Sequence, residues 1–285
     1  MTDQHYTIKV DNLSKTFGQT KAVQNVSFNV QKGRITGLLG PNGAGKTTTI
    51  RMINYIIPVD EGSILINDQK VSADTQRLIG YMPEERGLYK KMKVGEQLIY
   101  LAQLKGMSVS DAKTQIRYWL NRFGAADWHL KTVGELSKGM SQKIQFIATI
   151  VHDPSIYIFD EPFSGLDPIN SELLKEIIIE LREKGKTVLF STHRMEQVEQ
   201  MCDDICLFNN GKMVLDGNLR QIKKDFGKNT VLIEFQGDGS FIDNLSNVRV
   251  NNRSTNFAEI RILDDQDPQQ IFLSFNHDGF KKFSV

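Results

Sequence analysis

The sequence predicts an α/β fold built on short, buried strands, and three observations carry that reading. The apolar run Ile35 to Leu39 passes directly into Gly40-Pro41-Asn42-Gly43-Ala44-Gly45-Lys46-Thr47 and then into a helix-like stretch from Thr48 to Ile56. A second apolar run, Ile156-Tyr157-Ile158-Phe159, ends in Asp160-Glu161, and a third spans Val188 to Ser191 before Thr192-His193. Stretches of helical spacing lie between these runs, and buried strands alternating with helices read as a largely parallel sheet.

The loop from Gly40 to Thr47 has the spacing G-x-x-x-x-G-K-T of a phosphate-binding loop, in the strand–loop–helix context the motif requires. Glycines let the backbone curl so that successive N–H groups face phosphate oxygens, and the helix beginning near Lys46 adds its positive end. Lys46 is placed to reach the β- and γ-phosphates, and the Thr47 hydroxyl to bind Mg²⁺. The loop residues Gly40, Pro41, Asn42, Gly43, Ala44, Gly45, Lys46, Thr47 and Thr48 are therefore read as the nucleotide-binding set. A buried strand ending in two acids fits the same chemistry. Asp160 would hold Mg²⁺ through water, and Glu161 would polarise the attacking water.

Before the loop, Tyr6 to Leu13 and Lys21 to Val30 alternate apolar and polar residues as strands do, with Ser14 to Thr20 as a turn carrying Phe17. Phe17 either stacks on a base or caps the core. After the loop helix, Gly62 to Ile66 and Leu78 to Met82 read as short strands, with Asn67-Asp68 as a hairpin signal. Val94 to about Phe123 has helical spacing interrupted at Gly106 and Ser108, and reads as a helical insertion. Ser137 is positioned as the N-cap of a further helix that ends near His152. Ser164 to Pro168 is a turn before a helix from Ile169 to Glu183. A lone histidine is usually a satisfied surface or core residue, but His193 follows a core strand, which favours its pointing to the crevice of the phosphate loop, because ligands of open α/β sheets bind at strand carboxyl ends. A hairpin around Asn210-Gly211 and a short helix from Asn218 to Phe226 complete this part of the chain.

The pattern restarts after Gly227 as strand, helix, strand, strand, helix, strand, with helices at Phe241 to Leu245 and Pro268 to Phe275 and a final strand from Phe280. That order predicts a small α+β, ferredoxin-like sandwich over residues 227–285, with Phe235, Phe257, Ile260, Ile262, Phe272 and Phe275 facing inward. It carries no clustered carboxylate, Cys or His set.

Composition narrows the function classes. Lys plus Arg is 35 against 34 Asp plus Glu, a net charge of +1, so nothing in the whole-chain charge favours nucleic acid or anionic membrane. No run reaches the length of a membrane span and no signal-peptide pattern opens the sequence, so the chain is expected to be soluble by itself and cytoplasmic. Cys202 and Cys206, one helical turn apart, are expected to be half-buried thiols in a reducing compartment, there being no second Cys or His pair nearby.

From about Tyr6 to Asp225 the sequence resembles the nucleotide-binding subunits of ABC transporters, most of all the single-cassette sodium-efflux and drug-export type with a short C-terminal appendix. The resemblance rests on Gly40 to Thr47 as the Walker A loop, Ile156 to Asp160 as Walker B, Glu161 as the catalytic glutamate, Ser164 to Asp167 as the D-loop, and His193 as the switch histidine. Leu136-Ser137-Lys138-Gly139-Met140 occupies the signature position, usually written LSGGQ, and Gly80 to Glu84 the Q-loop.

The fold this implies is a P-loop NTPase cassette of ABC type over residues 1–226, with an antiparallel β subdomain and a helical subdomain at about 88–152. The resemblance sets Phe17 under the adenine, with Val23 beside it, and makes Glu161, His193 and Lys46 the catalytic group. It places Ser137 and Gly139 against the nucleotide of a second cassette, counts Asp167 of the D-loop among the nucleotide-binding residues, and sets Thr47, Glu84 and Asp160 at the Mg²⁺. Glu84 stands where the family has Gln, and Lys138 and Met140 replace a glycine and the glutamine of the signature.

The implied activity is ATP hydrolysis powering export through a separate membrane-spanning permease. A second copy or a homologous ATPase subunit would complete the pair on the inner face of the membrane, and no nucleic acid is expected. Leu88, Tyr89 and Met92 are read as anchors for a permease helix, or else as residues packed inside the helical subdomain. A soluble ABC-type ATPase acting on nucleic acid or ribosomes is the alternative; such proteins usually carry two cassettes or a long coiled coil, and this sequence has neither.

Overall fold

The computed structural model describes residues 5–85, 87–227, 230–235, 239–244, 247–263 and 280–284. Strands β1 (Tyr6–Phe17) and β2 (Thr20–Gln31) form a long antiparallel hairpin, and β3 (Ile35–Leu39) leads through the glycine loop into α1 (Lys46–Ile53). Then come β4 (Glu61–Ile66), β5 (Gln69–Lys70), β6 (Ile79–Met82), α2 (Val94–Leu104), α3 (Val109–Arg122) and α4 (Lys138–Ile150). The chain continues with β7 (Ile156–Asp160), α5 (Pro168–Glu183), β8 (Thr187–Thr192), α6 (Met195–Met201), β9 (Asp204–Asn209) and β10 (Lys212–Asn218).

Two sheets result. One has the order β2-β1-β4-β5 with antiparallel pairing; the other has the order β10-β9-β3-β8-β7-β6, and its β9, β3, β8, β7 and β6 run parallel. The parallel strands are apolar on both faces because each face is covered. Ile156, Ile158 and Leu189 turn toward the antiparallel sheet and α1, whereas Tyr157, Phe159, Val188 and Phe190 turn toward the helices. This period-2 division gives two cores. In the helical-side core Phe159 stacks between Phe146 and Tyr157, with centroids 5.1 and 5.8 Å away.

Three local expectations shift. Strand β1 runs on through Phe17, and the turn is only Gly18-Gln19, because Gly18 adopts φ 57° and lets Phe17 pair directly with Thr20. The hairpin signal at Asn67-Asp68 is realised, with φ of 49° and 63°, but its second strand is the two-residue β5. The helical insertion divides at the expected place. Ser108 caps α3 by accepting a hydrogen bond from Asp111 N, and Gly106 reaches φ 90° between α2 and α3. Cys206 is fully buried, not half-buried, and Cys202 lies part-way in; burial pushes both thiols above their ordinary range.

The chain separates into two compact units, Met1–Gly217 and Asn218–Val285. The second begins with α7 (Leu219–Gly227), which the sequence reading attached to the first. Its remaining strands are β11 (Thr230–Phe235), β12 (Val248–Arg253), β13 (Phe257–Ile262) and β14 (Phe280–Ser284). They form one antiparallel sheet in the order β12-β13-β11-β14, the strand order of the expected βαββαβ sandwich. The first crossover helix is a single 3₁₀ turn, Ser240–Asn244. The expected helix from Pro268 to Phe275, with Phe272 and Phe275, lies outside the described residues. Phe235, Ile260 and Ile262 are buried as expected, with Ile233, Ile242 and Ala258; Phe257 is only half-buried.

Candidate active site

Parallel pairing brings four strand ends to one edge. The register sets Leu39 beside Thr192, Asp160 beside Ser191, and Met82 beside Phe159. The glycine loop after β3, Asp160-Glu161 on β7, His193 after β8 and Glu84 after β6 therefore converge, although the sequence separates them widely. The antiparallel sheet packs against the same loop from behind.

The loop is shaped by close approach. A Cβ at Gly40 would stand 2.3 Å from the Phe208 carbonyl oxygen, and one at Gly45, where φ is +104°, would stand 2.6 Å from the Ala22 carbonyl oxygen. Only glycine fits either position. Gly45 is also the N-cap of α1, so the positive end of that helix opens into the loop. Lys46 is 5% exposed, and its Nζ donates to the carbonyls of Gly40 at 2.7 Å and Pro41 at 3.1 Å. The ammonium thus braces the loop that a phosphate would enter. Burial pushes its pKa down, against Glu161, Asp160 and Glu84, which push it up. A pocket of about 340 Å³ lies over the loop, lined by Ala22, Asn42 to Thr48, Glu84 and Glu161.

Asp160 is fully buried. Its Oδ1 accepts from Thr47 Oγ1 at 3.1 Å and from Ser191 Oγ, while its Oδ2 is buried with no hydrogen-bond partner among the described residues. An orphaned carboxylate oxygen costs on the order of 1–3 kcal/mol, more for a charged group. A hydroxyl and a carboxylate beside a phosphate loop are the hard oxygen donors Mg²⁺ takes, and a cation or its water would satisfy the orphan. The residues fit the ion. Among the described residues no group of three or more His, Cys, Asp or Glu could hold a metal by itself, so a bound ion would need phosphate oxygens and water to complete its shell.

Glu161 departs from the strand with φ 50°, unusual for a residue with a Cβ. Its backbone N–H donates to Ser191 Oγ at 3.1 Å, and its Oε1 lies 3.0 Å from His193 Nδ1. The abrupt turn aims the carboxylate into the pocket. Glu84 also lines it and is otherwise exposed. Partial burial first, and then Asp160 and Glu161, raise its pKa, with Lys46 opposing.

The other expected site residues divide. Phe17 ends β1 at 49% exposure with the Lys15 ammonium 5.5 Å from its ring centroid, so it does not cap the core and has a face free for a base. Val23 is 1% exposed and packed behind Gly45, where it supports the loop without offering surface to a ligand. Ser137 and Asp167 are exposed helix caps. Ser137 Oγ accepts from Met140 N at 3.2 Å, and Asp167 Oδ1 accepts from Asn170 N at 3.0 Å. With Gly139, they do not line the loop's pocket.

Three residues escaped the sequence reading. Ser191 ties Asp160 to the backbone of Glu161. Gln142 Nε2 donates to Pro162 O at 2.9 Å, and Gln145 Nε2 to Pro83 O at 2.7 Å, so α4 fixes the segments after β7 and β6. Gln142 and Gln145 lie three residues apart on α4, a spacing that fits a buried stripe but gave no sign that it was polar.

The family model described as ABC transporter matches residues 23–164. The chain is 44% identical to the ABC transporter ATP-binding protein YhaQ of Bacillus subtilis, over 98% of this chain and 94% of that one. It is 32% identical to the linearmycin resistance ATP-binding protein LnrL of the same organism, over 79% and 73% respectively. A solved ATP-binding subunit of an ABC transporter superposes with a TM-score of 0.72 at 32% identity, over 78% of this chain and 93% of that one.

Proposed function

We infer the function from one established premise: this chain belongs to the ATP-binding proteins of ABC transporters. It binds ATP and hydrolyses it to power transport. The observation that carries the assignment of roles is the pairing of an orphaned Asp160 oxygen with a Glu161–His193 contact at the rim of one glycine loop.

In the proposed roles, the loop N–H groups and Lys46 hold the β- and γ-phosphates, and Phe17 stacks on the base. Thr47 and Asp160 hold Mg²⁺, which neutralises phosphate charge and orients the γ-phosphoryl group. Glu161 orients and deprotonates the attacking water, and His193 positions Glu161. Since Ser137, Gly139 and Asp167 do not line the pocket of their own chain, they serve that of a second copy or a homologous ATPase subunit. Closure of such a pair excludes water from the γ-phosphate.

The membrane partner is a permease, because among the described residues no helix is long and apolar enough to cross a membrane. An open groove of about 380 Å³ between the loop after β6, α2 and α4 supports its docking. Ile56, Leu88, Leu101 and Leu104 line the groove, and Ile56 and Leu104 are 52% and 65% exposed. The working location is then the cytoplasmic face of the membrane. Export is the direction we favour, since LnrL is by its name a resistance protein. The second unit has a role in subunit contact or regulation.

Co-purification from membranes tests the partner. Leu104→Glu is expected to release the permease while basal ATPase activity persists. Retention of the permease at wild-type yield would move the docking surface elsewhere.

A further inference from the structure

The pocket over the glycine loop carries more negative charge than its chemistry requires. Among the described residues three carboxylates, Glu84, Asp160 and Glu161, act on one ammonium, Lys46, and raise its pKa against burial. Glu84 and Glu161 line the pocket directly, and Asp160 reaches it through Thr47. Hydrogen bonds from Thr47 and Ser191 offset the Asp160 charge only at Oδ1, since its Oδ2 is buried without a hydrogen-bond partner among the described residues. Glu84 in turn faces Asp160, Glu161 and Glu85, with Lys46 the opposing cation, and its carboxyl is pushed up by partial burial and by those acids. A glutamine at position 84 would have the same length and reach without the charge.

We propose that Glu84 makes nucleotide binding conditional on the divalent cation, by an electrostatic penalty against the metal-free triphosphate. The inference rests on the roles given to the loop, Thr47 and Asp160 above. A metal-free triphosphate brings its full negative charge against the carboxylates. The loop N–H groups and the positive end of α1 offset only part of that repulsion. A cation held by Thr47 and Asp160 sits between phosphates and carboxylates, and turns Glu84 from a repulsive neighbour into an attractive one. Glu84 acts through its field on the loaded site, and its effect on binding is largest where the cation is absent. Two unit charges in a partly screened pocket interact strongly enough to move an affinity by roughly tenfold. The site thereby selects the cation-bound nucleotide, the form its chemistry uses.

The test is equilibrium binding of a slowly hydrolysed ATP analogue to the full chain, once with excess Mg²⁺ and once with chelator. The ratio of the two dissociation constants is compared among wild type, Glu84→Gln and Glu85→Gln. The expected result is a ratio about tenfold smaller in Glu84→Gln, chiefly through tighter metal-free binding, and an unchanged ratio in Glu85→Gln. Circular dichroism of each variant establishes that it is folded. An unchanged ratio in folded Glu84→Gln with normal Mg²⁺-dependent binding overturns this inference and leaves the assigned roles standing. Wild type that binds the analogue in neither condition overturns both.

Discussion

His193 Nδ1 lies 3.0 Å from Glu161 Oε1, across 32 positions of sequence. The contact exists because β7 and β8 run parallel in a register that sets Asp160 beside Ser191. Glu161 has already left the strand with a left-handed φ, and the imidazole holds its carboxylate from the far side. His193→Ala should therefore leave Mg²⁺-ATP binding within about threefold and reduce turnover by roughly tenfold to a hundredfold, as for a lost positioning contact. Steady-state kinetics with separate kcat and KM check this. A change confined to KM would mean that His193 contributes to binding instead.

The site was partly legible in the sequence, and the division follows from locality. The glycine loop, Asp160 and Glu161 were readable because each sits in a short segment whose own residue types state its task. The Glu161–His193 contact was readable only as convergence on one sheet edge. Ser191 was invisible, since a serine at the end of an apolar strand signals nothing until pairing places it beside Asp160. Val23 was set beside the nucleotide by resemblance, whereas the structure packs it at 1% exposure behind Gly45. The turn carrying Phe17 was drawn too early, because Ser14, Lys15 and Thr16 look like turn residues. Their partners lie far away: Ser14 Oγ accepts from Asn25 N, and Asp60 accepts from Lys15 Nζ and Thr16 N.

Stability should fall on mild acidification through His152. Burial, with the nearby Lys105 ammonium, holds its pKa down at about 4, from 6.5, against a backbone contact with Ile79 that pushes it up. Below pH 6.5 the unfolded chain binds a proton that the folded chain refuses, so stability declines as pH falls from about 6.5 to about 4. The loss from this residue is about 2 kcal/mol between roughly pH 7 and pH 5. Urea unfolding at both values, for wild type and His152→Gln, measures it. An equal acid-side loss in the two proteins would assign the effect to other groups.

The signature segment should act across two chains. Glu161→Gln protein with ATP and Mg²⁺ is expected to sediment as a dimer, and Ser137→Arg added to it should abolish the shift. Ser137 is exposed, so the bulk and charge fall on the surface, although its cap to Met140 N is lost at a cost of about 1 kcal/mol. A dimer that persists in the double variant would remove Ser137 from the interface.

The most direct measurement is the turnover of Glu161→Gln alongside its affinity for ATP with Mg²⁺. The amide keeps the length of the side chain and removes its capacity to take a proton from water. The roles assigned to the strand ends predict affinity within a few-fold of wild type and hydrolysis lower by roughly 10²-fold or more. Hydrolysis near the wild-type rate, in a variant that binds ATP normally, would contradict them and place the base elsewhere.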